Sequence, residues 1–168
     1  MTKERMLEIY EKAACMDYVL ACGFYQENAV AVKITFAEMR KVLTDKAFSV
    51  QKTSSKEKRS GIAKIRCELT KTRIEALAKV GKVIIICTES EFYEELARMK
   101  TIKAGYGMGE TFENLLYSMA GQTWQKDNRP FNESPDLTYK GIRYQIKSAK
   151  FSLPHEEKLQ EIAEKLNI

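Results

Sequence analysis

The segment SPDLTYKGIRYQIKSAK, residues 134–150, constrains the fold more than any other stretch of the chain. Two short alternating runs meet at Lys140-Gly141, a pair suited to the centre of a two-residue turn, so the stretch reads as a β-hairpin. With that turn, Tyr139 pairs with Ile142, Leu137 with Tyr144 and Asp136 with Gln145. Directly opposed residues of an antiparallel pair point to one side, with Cβ atoms about 5 Å apart. Alternation then puts Lys147 on the side of Asp136 and Gln145. Leu137, Tyr139, Tyr144 and Ile146 fall on the other face, where they are expected to make the core contact. An acid, an amide oxygen and an ammonium therefore converge on one patch.

Such a patch has a chemical use. Phosphodiester hydrolysis calls for a cation that neutralises phosphate and lowers the pKa of an attacking water. Mg2+ or Mn2+ takes hard oxygen ligands, typically one or two carboxylates with waters and phosphate oxygens. Asp136 is the expected main ligand. Lys147 is the group expected to orient the water or steady developing charge. The plain structural alternative is a hairpin whose polar face is solvated.

Pro135-Asp136 followed by Gln145-Ile146-Lys147 resembles the signature of the PD-(D/E)XK nucleases, the group of restriction endonucleases and archaeal-type Holliday junction resolvases. In that family Pro-Asp on one strand precedes acid-X-Lys on the next, at the separation seen here. The family also tends to place a glutamate on the preceding helix, often four residues after a glycine. GETFENLLYSMAG offers Gly109 and then Glu113, preferred to Glu110. The resemblance implies a metal-dependent DNA endonuclease with catalytic residues Asp136, Gln145, Lys147 and Glu113, the metal being held by Asp136, Glu113 and Gln145. Two departures stand out. Gln145 occupies the second acidic position, where its carbonyl can still bind a metal but one negative charge is lost. The family also has a further strand after the last helix, a place for which the upstream run KVIIIC is a candidate. The resemblance covers about the last third of the chain.

Charge supplies a partner for such a site. Between Lys52 and Arg73 stand eight basic residues against Glu57 and Glu68, an excess larger than the +5 of the whole chain. A concentrated basic segment is the footprint of a phosphate-backbone partner, though a solvated face carries the same composition. The DNA-binding candidates are Lys56, Lys58, Arg59, Lys64, Arg66, Lys71 and Arg73, with Arg143 and Lys150 flanking the hairpin patch. Cutting both strands would favour a homodimer.

Elsewhere the sequence bounds the answer. At 168 residues, 44% hydrophobic and 30% charged, the chain can form one globular domain or two small ones. No run approaches the roughly 18 apolar residues of a membrane span, and the N-terminus lacks the features of a signal peptide, so a cytoplasmic protein is expected. Cys15, Cys22, Cys67 and Cys87 form no CxxC pair and sit in apolar surroundings, as reduced buried thiols do. The single histidine, His155, is expected at the surface, and Trp124 in the core.

Apolar spacing predicts a first helix through Met6, Ile9, Ala13, Met16 and Leu20, stopped near Gly23. A strand NAVAVKI, a helix TFAEMRKVL capped by Thr35 and a strand AFSVQ follow. A polar loop, KTSSKEKRSG, leads into a basic helix over 61–79, a buried strand GKVIIICT and a serine-capped helix SEFYEELARM. KAGYGMGET, 103–111, is read as a boundary between residues 1–102 and 103–168, since its glycines lack nucleotide-fingerprint spacing. The expected class is α+β or α/β. The resemblance implies that residues 103–168 form a restriction-endonuclease-like core of helix, β-hairpin sheet and helix. Residues 1–102 are expected to form a helical, basic, DNA-binding region compatible with a winged-helix module. The leading expectation is a metal-dependent DNA endonuclease. A non-catalytic DNA-binding protein with a degenerate nuclease fold is the alternative, and a partner-binding protein is the third.

Overall fold

A computed structural model describes residues 1–13, 16–52, 63–124 and 136–168. They form an α+β fold in which helices cover a mixed sheet. The N-terminal helix α1 (Lys3–Ala13) leads to β1 (Tyr18–Tyr25), β2 (Asn28–Ile34), α2 (Phe36–Leu43), β3 (Ser49–Lys52) and β4 (Ala63–Glu68). Then come α3 (Lys71–Ala78), β5 (Lys82–Thr88), α4 (Glu89–Ile102) and α5 (Met108–Met119). The chain closes with β6 (Leu137–Tyr139), β7 (Ile142–Ser148), β8 (Lys150–Ser152) and α6 (Glu156–Leu166). Among the described residues, no helix is long and apolar enough to cross a membrane.

The sheet runs β3-β4-β8-β7-β1-β2-β5, with β6 paired to β7 beside this path. Among the described residues, only β1 and β7 pair in parallel. Strands from both sides of the expected boundary at 103 are thus hydrogen-bonded into one sheet. KVIIIC lies in β5, which pairs with β2, and the parallel neighbour of β7 is β1.

Several elements form for the local reasons the sequence shows. Thr35 caps α2 by accepting the Glu38 N–H at 3.1 Å. AFSVQ overlaps β3 at residues 49–51 and NAVAVKI is β2. Others differ. The first helix ends at Ala13, and Leu20 belongs to β1, where the aromatic and β-branched run YVLACGFY is buried on both faces. Gly23 is not a stop. It lies in β1 where α3 packs so closely that a Cβ would stand 2.8 Å from Ile74 Cγ1. The cap of α4 is Thr88, in a reciprocal box with Glu91, and not Ser90.

The basic helix expected over 61–79 is a strand followed by a short helix. In β4, Ala63, Ile65 and Cys67 are buried while Lys64 and Arg66 are half-buried, a period of two that a helix cannot have. The winged-helix reading loses its recognition helix with this change. β5 is not buried either. Among the described residues it is one of the sheet's two end strands, and Ile85 is 60% exposed.

Two apolar clusters sandwich the sheet. One joins Val19, Ala21, Ile65, Cys67 and Phe151 to α1, α2, α3 and α6. The other joins Leu20, Cys22, Tyr144 and Ile146 to Phe92 of α4 and to Phe112 and Leu116 of α5.

The start of the parallel pair is pinned by Asp17. Its carboxylate accepts the Arg143 backbone N–H at 2.8 Å and Nη2 at 3.0 Å, and its own N–H donates to the Arg143 carbonyl. These bonds from Arg143 hold the Asp17 carboxyl below its ordinary range. With the folded pKa depressed, the stabilisation is present above the unfolded-state pKa and is lost as pH falls through the folded one. Asp17→Asn should therefore lose less stability on acidification than wild type. Urea unfolding at about pH 7 and about pH 3 measures this, and equal losses in the two proteins would rule the pair out as an acid-sensitive contact.

Candidate active site

The hairpin has the expected turn and register. Lys140 and Gly141 have φ of 52° and 79°, the left-handed pair that a two-residue turn of matching twist demands. Tyr139 opposes Ile142 and Leu137 opposes Tyr144. Leu137, Tyr144 and Ile146 enter the core, whereas Tyr139 is 37% exposed.

Asp136 lies one step before β6, beyond the last hairpin pair, Leu137 with Tyr144. Its Oδ2 accepts the Ile146 N–H at 2.8 Å, and its carbonyl accepts the Tyr117 hydroxyl from α5. Along that edge, β6 pairs with residues 142–144 and β8 only with Ser148. Among the described residues, Gln145, Ile146 and Lys147 therefore have a strand neighbour on the β1 side alone. The sheet forks here, and Asp136 satisfies the edge N–H exposed by the fork.

Gln145 and Lys147 share one face of β7, in register with Val19 and Ala21. That face meets the α1, α2, α3 and α6 layer, so Gln145 is 4% exposed and Lys147 Nζ lies 5.4 Å from the Phe151 ring centroid. Glu113 sits on α5, which covers the opposite face, and its Oε2 accepts Trp124 Nε1–H at 2.9 Å. The structure thus gathers Asp136, Gln145 and Lys147 around the fork and sets Glu113 in the layer beyond it. Glu110 has a different task, accepting the Gly107 N–H at 3.0 Å to close the start of α5. Trp124 is half-buried against Tyr106 rather than in the core, and His155 is a half-buried N-cap position of α6.

Of the basic candidates, Lys64 and Arg66 are on β4 and Lys71 and Arg73 on α3. Arg73 Nη1 donates to the Glu68 carbonyl at 2.7 Å, and Arg143 is engaged by Asp17. Lys150 is exposed on β8. Lys56, Lys58, Arg59 and Pro135 lie outside the described residues, as does Cys15. Cys22, Cys67 and Cys87 are free, each with its thiol pKa pushed up by burial.

Sequence reasoning missed a cleft of about 370 Å³ at the carboxyl ends of β1 and β7, lined by Cys22, Phe24, Lys71, Phe112 and Ser148 among others. Nothing local announces it, since it needs the parallel pairing of strands far apart in sequence. Three helices begin near it, but Thr70, Thr88 and Glu110 already accept N–H groups at their first turns.

Hard oxygen donors are what the fork offers a metal. Asp136 supplies a carboxylate oriented by a backbone donor and Gln145 an amide oxygen, a set that suits Mg2+ or Mn2+ and not a thiophilic ion. Among the described residues, no group of three His, Cys, Asp or Glu is placed to hold a metal. Magnesium does not require one, because waters and substrate phosphates complete its shell. Comparison with protein-family models, with curated proteins and with solved structures gave no match to this chain.

Proposed function

We propose that the protein is a metal-dependent DNA endonuclease whose reaction centre is the fork beside β7. The observation that carries this is the Asp136 carboxylate, held by the Ile146 N–H at a stretch of β7 that, among the described residues, has no outer strand, next to Gln145 and Lys147. Unpaired strand edge is costly unless something uses it, and here an acid and an ammonium flank it.

Asp136 and Gln145 would hold the ion; Glu113, on α5 beyond the other face of the sheet, stands apart from them. The ion, when bound, neutralises phosphate charge and lowers the pKa of a water. Asp136 also fixes the geometry: a carboxylate tied to backbone cannot swing away when the substrate arrives. Lys147 is a flexible ammonium on the same strand, suited to hold the attacking water or to balance charge building on the phosphate.

The test is cleavage of supercoiled plasmid and of a four-way junction, with Mg2+ or Mn2+, by wild type and Lys147→Ala. Metal-dependent cutting by wild type, reduced about 10²-fold or more in the variant, is the expected result. A second reading has its own support, because Gln145 is buried like a structural glutamine. It describes a DNA-binding protein with a retired site, and it prevails if wild type binds both substrates and cuts neither.

A further inference from the structure

The sheet is wider than its second covering layer. On β3, β4 and β8, Ala63, Ile65, Cys67 and Phe151 turn to the helices of the first cluster. Alternation and register send Gln51, Lys64, Arg66, Glu68, Lys150 and Ser152 to the opposite face. The second cluster stops at β7 and takes no residue from these three strands. Among the described residues, a three-stranded wing therefore shows a polar sheet face that no helix layer covers.

Among the described residues the charge on that face is net positive. Among the described residues, Lys64, Arg66 and Lys150 form no ion pair, and Glu68, opposite Lys150 in register, is the only acid in the set. Arg66 Nε is buried without a hydrogen-bond partner, an orphan donor on a cation. No aromatic side chain is among these residues. Ala149, with φ of 57°, turns β7 into β8 and sets Lys150 opposite Ser148, so this face continues the Ser148 side of β7, the side away from Gln145 and Lys147.

We propose that this wing seats the backbone of double-stranded DNA, a step that rests on the endonuclease reading for what happens next but not for the binding itself. Cations spread over a sheet match the evenly spaced charge of a duplex, and such contacts position without reading sequence. Single strands are gripped differently, by stacking bases on aromatic rings, and the wing has none to offer. The duplex is therefore the form this surface selects.

Binding is measured by fluorescence anisotropy in EDTA, where nothing is cut, with a mixed-sequence duplex and its separate strand over about 50 to 200 mM salt. Wild type is expected to prefer duplex by about tenfold or more, with steep salt dependence. The double variant Lys64→Ser/Lys150→Ser should bind duplex about tenfold more weakly at low salt, its salt slope shallower by about 0.9 per contact removed. Lys12→Ser/Lys165→Ser, with the same charge loss on α1 and α6, should bind as wild type does. Arg66→Gln gives a separate check, since its circular dichroism shows whether loss of binding is loss of fold. Equal binding by wild type and the wing variant overturns the proposal, as does equal affinity for duplex and single strand, or an equal loss in the control pair. Cutting without a wing effect would remove this surface and leave the endonuclease standing. A wing effect without cutting would do the reverse.

Discussion

Replacing Asp136 by asparagine is expected to reduce metal-dependent cleavage by about 10²- to 10³-fold while leaving the protein folded and its duplex affinity in EDTA intact. Asparagine is the informative substitution. The Asp136 carboxylate does two things at once, accepting the Ile146 N–H and presenting negative charge at the fork. Ile146 is only 6% exposed, so alanine would strand that N–H away from water at a cost of about 1–3 kcal/mol and confuse misfolding with lost chemistry. Asparagine keeps an acceptor for the N–H and removes the charge. Because Gln145 already brings an amide where a second acid would help, Asp136 bears more of the charge at this site, and its loss has no carboxylate beside it on the hairpin to compensate. Plasmid nicking by Asp136→Asn at the wild-type rate would exclude Asp136 as a metal ligand. Unchanged melting with lost nicking would separate the chemistry from the hydrogen bond.

What was legible in the sequence was what short-range chemistry decides. Lys140-Gly141 sets a turn through its own backbone angles, and the turn alone fixes which residues of the hairpin oppose one another. Thr35 identifies its helix by a bond spanning three residues. Long-range pairing was not legible. Ile65 and Leu69 stand at helical spacing, but a short apolar window also fits a strand, and the partner that decides the matter is β8, only Lys150–Ser152. The parallel pairing of β1 with β7 leaves no local mark, yet it determines that Gln145 faces Val19 in the interior. Alternation correctly put Gln145 and Lys147 on one side of β7. It had no means of showing which helices cover that side, and so could not show that Glu113 lies in the other layer. KVIIIC misled for a related reason, because β-branched apolar residues suit an edge strand backed by a helix as well as a central one.

The largest loss of stability is expected at Phe151. It is fully buried, opposite Cys67 on β4, with its ring centroid 5.6 Å from Phe36 and 5.8 Å from Tyr10. A residue of the last strand is thereby packed against α1 and α2. Phe151→Ala removes that aromatic contact and leaves a cavity in a fully buried site, at a cost of about 3–5 kcal/mol. For a chain of this size the midpoint of thermal unfolding should fall by about 10 °C or more. Because the ring joins elements from both ends of the chain, the loss should be global: unfolding followed by circular dichroism and by Trp124 fluorescence should shift together in urea. Lys147 Nζ lies 5.4 Å from the same ring centroid, so cleavage should fall further than unfolding at the assay temperature explains. A change below about 1 kcal/mol would mean the site can repack around alanine. Separate transitions for the two probes would mean the halves on either side of residue 103 unfold independently, in spite of their shared sheet.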